Sequence, residues 1–397
     1  MKRRDAMCGC ALFLFGCMVS VAQEPDASFT IFPVKLPKGF VLESLNGLGT
    51  TNCTIQTVSG IGSGNPAGLC DFQRPSVGIG GQIETDIQPA WLAGIGYRRG
   101  RPFLPQSAGL AVPAGDWRIG IGFSQRYNAV MDFGDMEVTT VEDPDGTGQT
   151  FSASDQVDVL SLSVLCGRSV FAQGHGRLQA GGRFSVDRLS MVSKIFQASA
   201  CAVDYAVSWA AGFRYDLGVD SALSVKLGLF FERGACFRTE AAYSKLDLMQ
   251  PVEVIGETGP VDVQPMHWPV VANMPSAVHA GVTIGSEESA FVTFDYTESF
   301  VRSADGWPIP GKGIAGSAVG RPVPPLTVSV GFYSLETEPL FRGLGFDEKW
   351  SALFWTAGCM VRLSSFAIGT AFAGSKNSET HPWFRRTLAK LTMAYHL

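Results

Sequence analysis

Stretch after stretch of this chain alternates, residue by residue, between an apolar face and a face of small, polar or charged residues. That period of two fits β-strands seen on both faces, and no stretch approaches the unbroken apolar run of a membrane helix. From Asp116, Trp117, Ile119, Ile121 and Phe123 oppose Arg118, Gly120, Gly122, Ser124 and Arg126. From Arg177, Leu178, Ala180, Phe184 and Val186 oppose Gln179, Gly181, Arg183, Ser185 and Asp187. The runs at 223–232, 278–284 and 326–333 repeat the design. A soluble sandwich would bury the apolar face against a second sheet. A transmembrane barrel would turn it to lipid around a wet lumen, with strands of about ten residues and aromatic girdles. Trp117, Tyr127, Trp209, Tyr296, Trp350 and Trp355 stand near strand ends, as a girdle requires.

The N-terminus favours the membrane reading. Lys2, Arg3 and Arg4 precede an apolar stretch, Cys10 to Val21, that is too short to span a bilayer, and Ser20 and Ala22 suit cleavage before Gln23. An alternative is lipidation at Cys17, because Leu14-Phe15-Gly16-Cys17 approximates a lipobox. The expected organisation is a signal peptide over 1–22, an irregular segment over 23–73 and a transmembrane antiparallel β-barrel over 74–397. With 46 Gly, 27 Phe and only 17% charged residues, one large barrel fits the length better than several soluble domains. The net charge of −5 provides no broad basic field, which sets nucleic acid aside as a partner.

Loop lengths orient the barrel. Ala114-Gly115-Asp116, Asp216–Asp220 and Gly285–Glu288 read as tight periplasmic turns. The stretches 128–154, 234–275 and 299–324 read as external loops. Thirteen or fourteen strands can be counted, and a closed single-chain bacterial barrel takes an even number, so fourteen are expected. The last strand places Leu391, Met393, Tyr395 and Leu397 on one face, resembling the terminal signal through which the barrel assembly machinery receives its substrates.

The segment 23–73 has no periodicity and cannot build a core alone, so it must pack on another surface. It scatters Phe29, Phe32, Phe40 and Leu42 among prolines before a Gly-rich run, and it closes on the turn Gly64-Asn65-Pro66-Ala67-Gly68. Pro66 lacks a donor and biases Asn65 away from the α region. Of the six cysteines beyond the signal, only Cys53 and Cys70 are near enough in sequence to suggest a local bridge; the alternative is two small buried thiols.

Catalysis finds little support. His175, His267, His279, His381 and His396 are scattered, and the sequence contains no G-x-S-x-G, H-E-x-x-H or C-x-x-C. The near P-loop at Gly306–Gly313 has Gly313 in place of Ser or Thr and contains two prolines. No catalytic residue, metal or cofactor is expected.

Taken together, Gly47-Leu48-Gly49, Asn65-Pro66-Ala67-Gly68-Leu69, Arg74-Pro75-Ser76-Val77-Gly78, Pro105–Gly109 with Asp116–Gly122, and Met274–Gly281 resemble the FadL family of outer-membrane transporters for long-chain fatty acids and other hydrophobic compounds. Thr50–Gly64 departs from that family in lacking its Ala-rich character. The resemblance implies a fourteen-stranded barrel in the bacterial outer membrane, in contact with outer-membrane lipid and closed by an N-terminal hatch. On that model ligand is captured outside and released laterally through the wall. Asn65, Pro66, Ala67 and Gly68 would form the moving hatch turn. Phe29, Phe32, Phe40, Leu42, Arg118, Arg126, Arg177 and Arg183 are the ligand-binding candidates. The alternative for the arginines is a salt-bridge network in the wall with Asp187, Glu232 or Asp295. The alternative for the whole chain is a non-transporting barrel acting as a structural or surface-interaction component.

Overall fold

The computed structural model describes residues 53–85, 104–137, 150–195, 198–218, 223–244, 267–286, 288–302, 308–337, 350–376 and 387–397. The signal expected over 1–22, the lipobox cysteine and the candidates Phe29, Phe32, Phe40 and Leu42 lie outside them. So does Gly47-Leu48-Gly49.

The described residues form sixteen strand segments, all paired antiparallel. They are β1 (Ser76–Thr85), β2 (Leu104–Ala114), β3 (Trp117–Glu137), β4 (Thr150–Gln173), β5 (Gly176–Ile195), β6 (Ala198–Gly218), β7 (Ser224–Arg233) and β8 (Cys236–Ser244), followed by β9 (His267–Asn273), β10 (Ser276–Gly285), β11 (Ala290–Arg302), β12 (Pro308–Val323), β13 (Leu326–Thr337), β14 (Trp350–Leu363), β15 (Phe366–Lys376) and β16 (Thr387–His396). Each pairs with the next in sequence except β7 with β8 and β9 with β10; instead β7 pairs with β10 and β8 also with β6, and β16 returns to β1, with Ser76 opposite His396. The β7–β10 register, Ala277 opposite Glu232, continues unshifted into the β8–β9 pair, Cys236 opposite Asn273. β7 and β8 are therefore one interrupted stave, and β9 and β10 another, so the wall is a closed barrel of fourteen staves. The interruption lies at Gly234-Ala235 facing Met274-Pro275. There the Met274 N–H donates to the Ala235 carbonyl at 2.8 Å, and Pro275 has no N–H to offer.

The period of two sorts the side chains as expected. Ile119 and Ile121 are 48% and 49% exposed, while Gly120 and Gly122 between them are buried. Leu227 and Leu229 alternate in the same way with buried Lys226 and Gly228, and Val328 and Val330 with buried Thr327 and Ser329. A wall that turns its apolar face outward and its polar face inward is a membrane barrel, because a soluble protein would bury that apolar face. No helix among the described residues is long and apolar enough to cross a membrane. Trp117 and Trp355 project outward, as a girdle residue should, and the Arg168 guanidinium lies 5.4 Å from the Trp117 ring centre.

The tight connections gather at one end. Gly115 (φ 64°) turns β2 into β3 and Gly174 (φ 59°) turns β4 into β5, both in the left-handed region that glycine tolerates. The meeting of β16 with β1 lies at the same end, where the Leu397 N–H donates to the Pro75 carbonyl. We call this the inner end. Strands β3 to β6, at 21, 24, 20 and 21 residues, exceed the roughly ten needed to cross lipid, so they continue past the membrane at the outer end.

All three expected external loops are corrected. The stretch 128–154 is largely strand, since β3 runs on to Glu137 and β4 begins at Thr150. The stretch 299–324 contains the whole of β12. That strand carries Pro308, Pro310, Gly311, Gly313, Gly316 and Gly320, and so few large side chains that its alternation is faint. The near P-loop thus ends in a sheet strand. The stretch 234–275 likewise holds β8 and β9.

The wall's stability should depend on its apolar exterior. Ile121→Arg should destabilise the barrel by about 2–4 kcal/mol if Ile121 sits near the membrane midplane. Denaturant titration in phospholipid vesicles measures this, with Ile121→Val as the control expected within about 1.5 kcal/mol of the parent.

Candidate functional site

Residues 53–73 run inside the barrel rather than in its wall. The segment includes a two-turn 3-10 helix, Pro66–Asp71, that packs against β3, β4, β5 and β6. Ala67 and Leu69 are fully buried. Val58, Ile61, Leu69 and Phe72 form an apolar cluster with Ala111 and Leu165 of the wall. The helix starts at Pro66 because proline needs no N–H partner there, and because Asn65 caps it: Asn65 Oδ1 accepts from the Ala67 N–H at 3.0 Å. The Asn65 amide also donates to the Cys53 carbonyl at 2.9 Å and to the Phe213 carbonyl of β6 at 3.1 Å. One buried side chain therefore ties the turn to its own segment and to the wall.

The wall makes room for this backbone with glycine. Gly109, Gly122, Gly181, Gly212 and Gly228 sit on the lumen faces of β2, β3, β5, β6 and β7. A Cβ added to Gly109 would overlap the Val58 carbonyl oxygen, and one on Gly181 would overlap the Pro66 carbonyl. On Gly212 it would strike Asn65 Oδ1, on Gly228 the Cys53 carbonyl, and on Gly122 it would lie 2.7 Å from Gly62 Cα. Several of these glycines are cross-strand partners, Gly109 with Gly122 and Gly181 with Gly212. They form a belt into which the inner segment is pressed.

At the inner end the segment is fastened by charge. Arg214 of β6, with no exposed surface, donates to both oxygens of Asp71, to Asp71 Oδ2 at 2.6 Å through Nη1. It also donates through Nε to Asp216 Oδ1 at 2.9 Å and through Nη1 to the Thr54 carbonyl. Arg177 completes the group, 2.8 Å from Asp216 and 3.7 Å from Asp71. Burial by itself would raise the Asp71 carboxyl, but the charge and hydrogen bonds of Arg214 hold it below the usual carboxylate range.

The sequence-derived arginines separate into two groups. Arg118 and Arg177 stand at the inner rim, where Arg118 donates to the Gly115 carbonyl and to Gln73 Oε1. Arg126 and Arg183 lie deeper, and both pair with Glu232, Arg183 at 3.0 Å. Arg183 also reaches the Gly64 carbonyl at 3.2 Å. Arg126 and Arg183 thus share Glu232, one of the partners in the network weighed as the alternative, whereas Arg177 pairs with Asp216 and Asp71, outside it. Beside them His279 stacks on Phe230, ring centres 4.0 Å apart, and its Nδ1 meets Thr297 Oγ1 at 2.9 Å.

Cys53 and Cys70 are free thiols, not a bridge. The segment seats Cys53 against Gly228 and Gly281 and Cys70 against Gly167, on different sides of the lumen. Burial pushes the Cys70 thiol up to about 11, and burial with the nearby Asp295 carboxylate raises the Cys53 thiol as well.

Sequence reasoning missed Arg214 and Asp71. A signal was available: Arg214 and Asp216 occupy successive lumen-facing positions of β6, aligned with Gly212. Without the path of the inner segment, nothing paired them with Asp71.

Two outcomes follow. Arg214→Met removes the partner of a buried pair, a change that costs about 3–5 kcal/mol in comparable cases, and should expose residues 53–73 to protease while the barrel keeps its heat-modifiable mobility on gels. In the parent, the depressed Asp71 carboxyl contributes stability above the ordinary carboxylate range, which is lost as pH falls through its lowered folded value. Hydrogen exchange of residues 53–73 should therefore stay slow at pH 7 and 5 and quicken only below about pH 4.

No protein-family model matches this sequence, and no curated protein does. Solved structures do match. The toluene transporter TodX of P. putida superposes with a TM-score of 0.61 at 12% identity, over 90% of this chain and 99% of that one. The Ralstonia pickettii toluene transporter TbuX gives 0.59 at 12% identity, over 88% and 97%. A Pseudomonas aeruginosa FadL homologue gives 0.51 at 11% identity, over 88% and 97%. With its closed wall of fourteen staves and its apolar exterior, this chain is an outer-membrane β-barrel with the FadL-type fold.

Proposed function

We propose that this protein is a passive outer-membrane channel for hydrophobic compounds, long-chain fatty acids or molecules of similar character, and that residues 53–73 act as its hatch. The observation that carries this reading is the seating of the inner segment. It lies across the lumen of a membrane barrel, pressed into glycines, and beside one small apolar cluster its anchors are directional: the capped turn at Asn65, the Asp71–Arg214 clasp, the Arg183 bond to the Gly64 carbonyl and the Cys53 N–H bond to Asp295. A static filler would be served as well by a larger apolar contact. A segment held by a few directional bonds can be released when those bonds are exchanged.

The neighbouring folds support the substrate class, since TodX and TbuX are toluene transporters. Capture without covalent chemistry is physically adequate, because each buried methylene contributes about 0.8 kcal/mol. Asn65, Pro66, Ala67 and Gly68 are the moving turn on this reading. Ligand enters from the outer end and leaves laterally through the wall once the turn shifts. Arg126 and Arg183 line the route as members of an ion-pair group rather than as lone receptors.

The test is uptake of radiolabelled oleate by cells producing the parent or Asn65→Ala. The variant loses the cap of the 3-10 helix and both amide donations, and should lose uptake at least about ten-fold, the equivalent of one lost cap. Barrel assembly, read from heat-modifiable mobility, should be unchanged. Parent-level uptake by the variant would overturn the hatch assignment. A barrel that neither takes up nor retains any hydrophobic molecule would leave the structural or surface-interaction role.

A further inference from the structure

Above the hatch, the lumen wall holds a polar floor directly beneath an apolar cup. Asp187 of β5 has no exposed surface, and neither carboxylate oxygen has a hydrogen-bond partner. Its cross-strand partners are Ser161 of β4 and Ala206 of β6. Ser185 lies two residues away on the same face, opposite Ser208, whose buried hydroxyl is also unpartnered. One step toward the outer end, on the same strand faces, Val159 and Leu189 pack with Phe237 and Ala235 of the interrupted stave, and Ala206 packs against that cluster. Val159, Leu189 and Phe237 are all fully buried.

A buried carboxylate and hydroxyl without partners are costly, and native proteins supply such groups with a hydrogen-bonding companion. The chemistry of the vacant positions restricts the companion. A carboxylate only accepts hydrogen bonds, so the group opposite Asp187 must donate. Asp187 is itself an anion, and Arg126 and Arg183 of the same lumen pair with Glu232, so an anionic head placed beside Asp187 would meet like charge. A neutral hydroxyl satisfies both conditions.

Access is built into the wall. Among the described residues, β6 pairs with β8 only over Ser199–Cys201 and with β7 only from Trp209 onward. Between them, Ala202–Ser208 has no ladder partner on that side. The seam is bridged instead by side chains: Asp204 Oδ2 accepts from the Arg238 N–H at 2.6 Å, and Thr239 Oγ1 lies 3.5 Å from the Val203 carbonyl. With its strand broken at Gly234-Ala235 and its seam unzipped, the segment bearing Phe237 can lift from the cup more readily than a fully paired stave.

We infer that Asp187, Ser161 and Ser208, under the apolar cup closed by Phe237, form a binding site for a hydrophobic molecule with a neutral hydroxyl head, such as a long-chain alcohol or a monoacylglycerol. This rests on the transport reading and narrows its substrate. The apolar chain would occupy the space yielded by Phe237, and the hydroxyl would donate to Asp187 while accepting from Ser208.

The test measures binding of radiolabelled 1-dodecanol and dodecanoate to the full chain in phospholipid nanodiscs at pH 7, with empty nanodiscs subtracted. The parent should bind the alcohol at least about ten-fold more tightly than the acid, the value of one hydrogen bond to a charged group. Asp187→Asn, which keeps the shape, should erase that preference, and Ser208→Ala should weaken alcohol binding several-fold without favouring the acid. Equal or tighter binding of the acid by the parent, or an alcohol preference untouched in both variants, would overturn the inference. The two readings fail differently. Alcohol preference without uptake of either compound would count against transport, whereas uptake without alcohol preference would count against this site.

Discussion

In a bilayer every backbone donor and acceptor must find a partner within the protein, and that requirement governs the whole molecule. An open sheet would leave two bare edges in lipid, so the chain has to bring its last strand back to its first. It does so with β16 along β1, from Ser76 opposite His396 to Thr85 opposite Thr387. Everything else is arranged around that closure. The exterior follows from it, because staves that satisfy their own backbones can show lipid nothing but apolar side chains. The interior follows too, because a closed wall of fourteen staves encloses a lumen that something must fill.

What fills the described part of the lumen is backbone held by polar contacts. The inner segment is seated where the wall has no side chains, along glycines that admit it at close approach, and it is fastened where the wall is charged, at Arg214. These contacts differ in character from those of a hydrophobic core. Apolar packing is non-directional and hard to undo in part, while the Asn65 cap and the Asp71–Arg214 pair can be broken singly. Beside these bonds the segment has one small apolar cluster, Val58, Ile61, Leu69 and Phe72 against Ala111 and Leu165 of the wall. The layer above it is also polar, with serines, Asp187 and the Arg126–Glu232–Arg183 group, and it meets an apolar cluster at the outer mouth.

The interrupted staves show how the outer mouth departs from a plain barrel. Pro275 cannot donate to the ladder, and a Cβ on Gly234, which faces it, would strike the Met274 carbonyl. The two staves therefore break at the same height. The register between the two broken staves survives the break, so β8 and β9 continue the wall, while the register toward β6 shifts by one residue and β8 is bridged to β6 through Asp204 and Thr239.

The sequence by itself determined the class of fold, the sidedness of each well-patterned strand and the number of staves. These are local properties: alternation of period two fixes which face is apolar, and closure demands an even count. It also marked the Asn65-Pro66 turn, since the cap and the missing proline donor act within a few residues. It failed where the signal was weak or distant. β12 was invisible because glycine and proline diluted its alternation, and the outer parts of β3 and β4 were hidden because beyond the membrane the apolar face is no longer required. Only the tertiary structure decided that Arg214 meets Asp71, that Cys53 and Cys70 face different walls, and that the glycines of five strands form one belt. Each of those depends on where the inner segment runs through the lumen, a path set by contacts between residues distant in sequence, from Val58 and Gly109 to Cys53 and Asp295, the latter 242 positions apart.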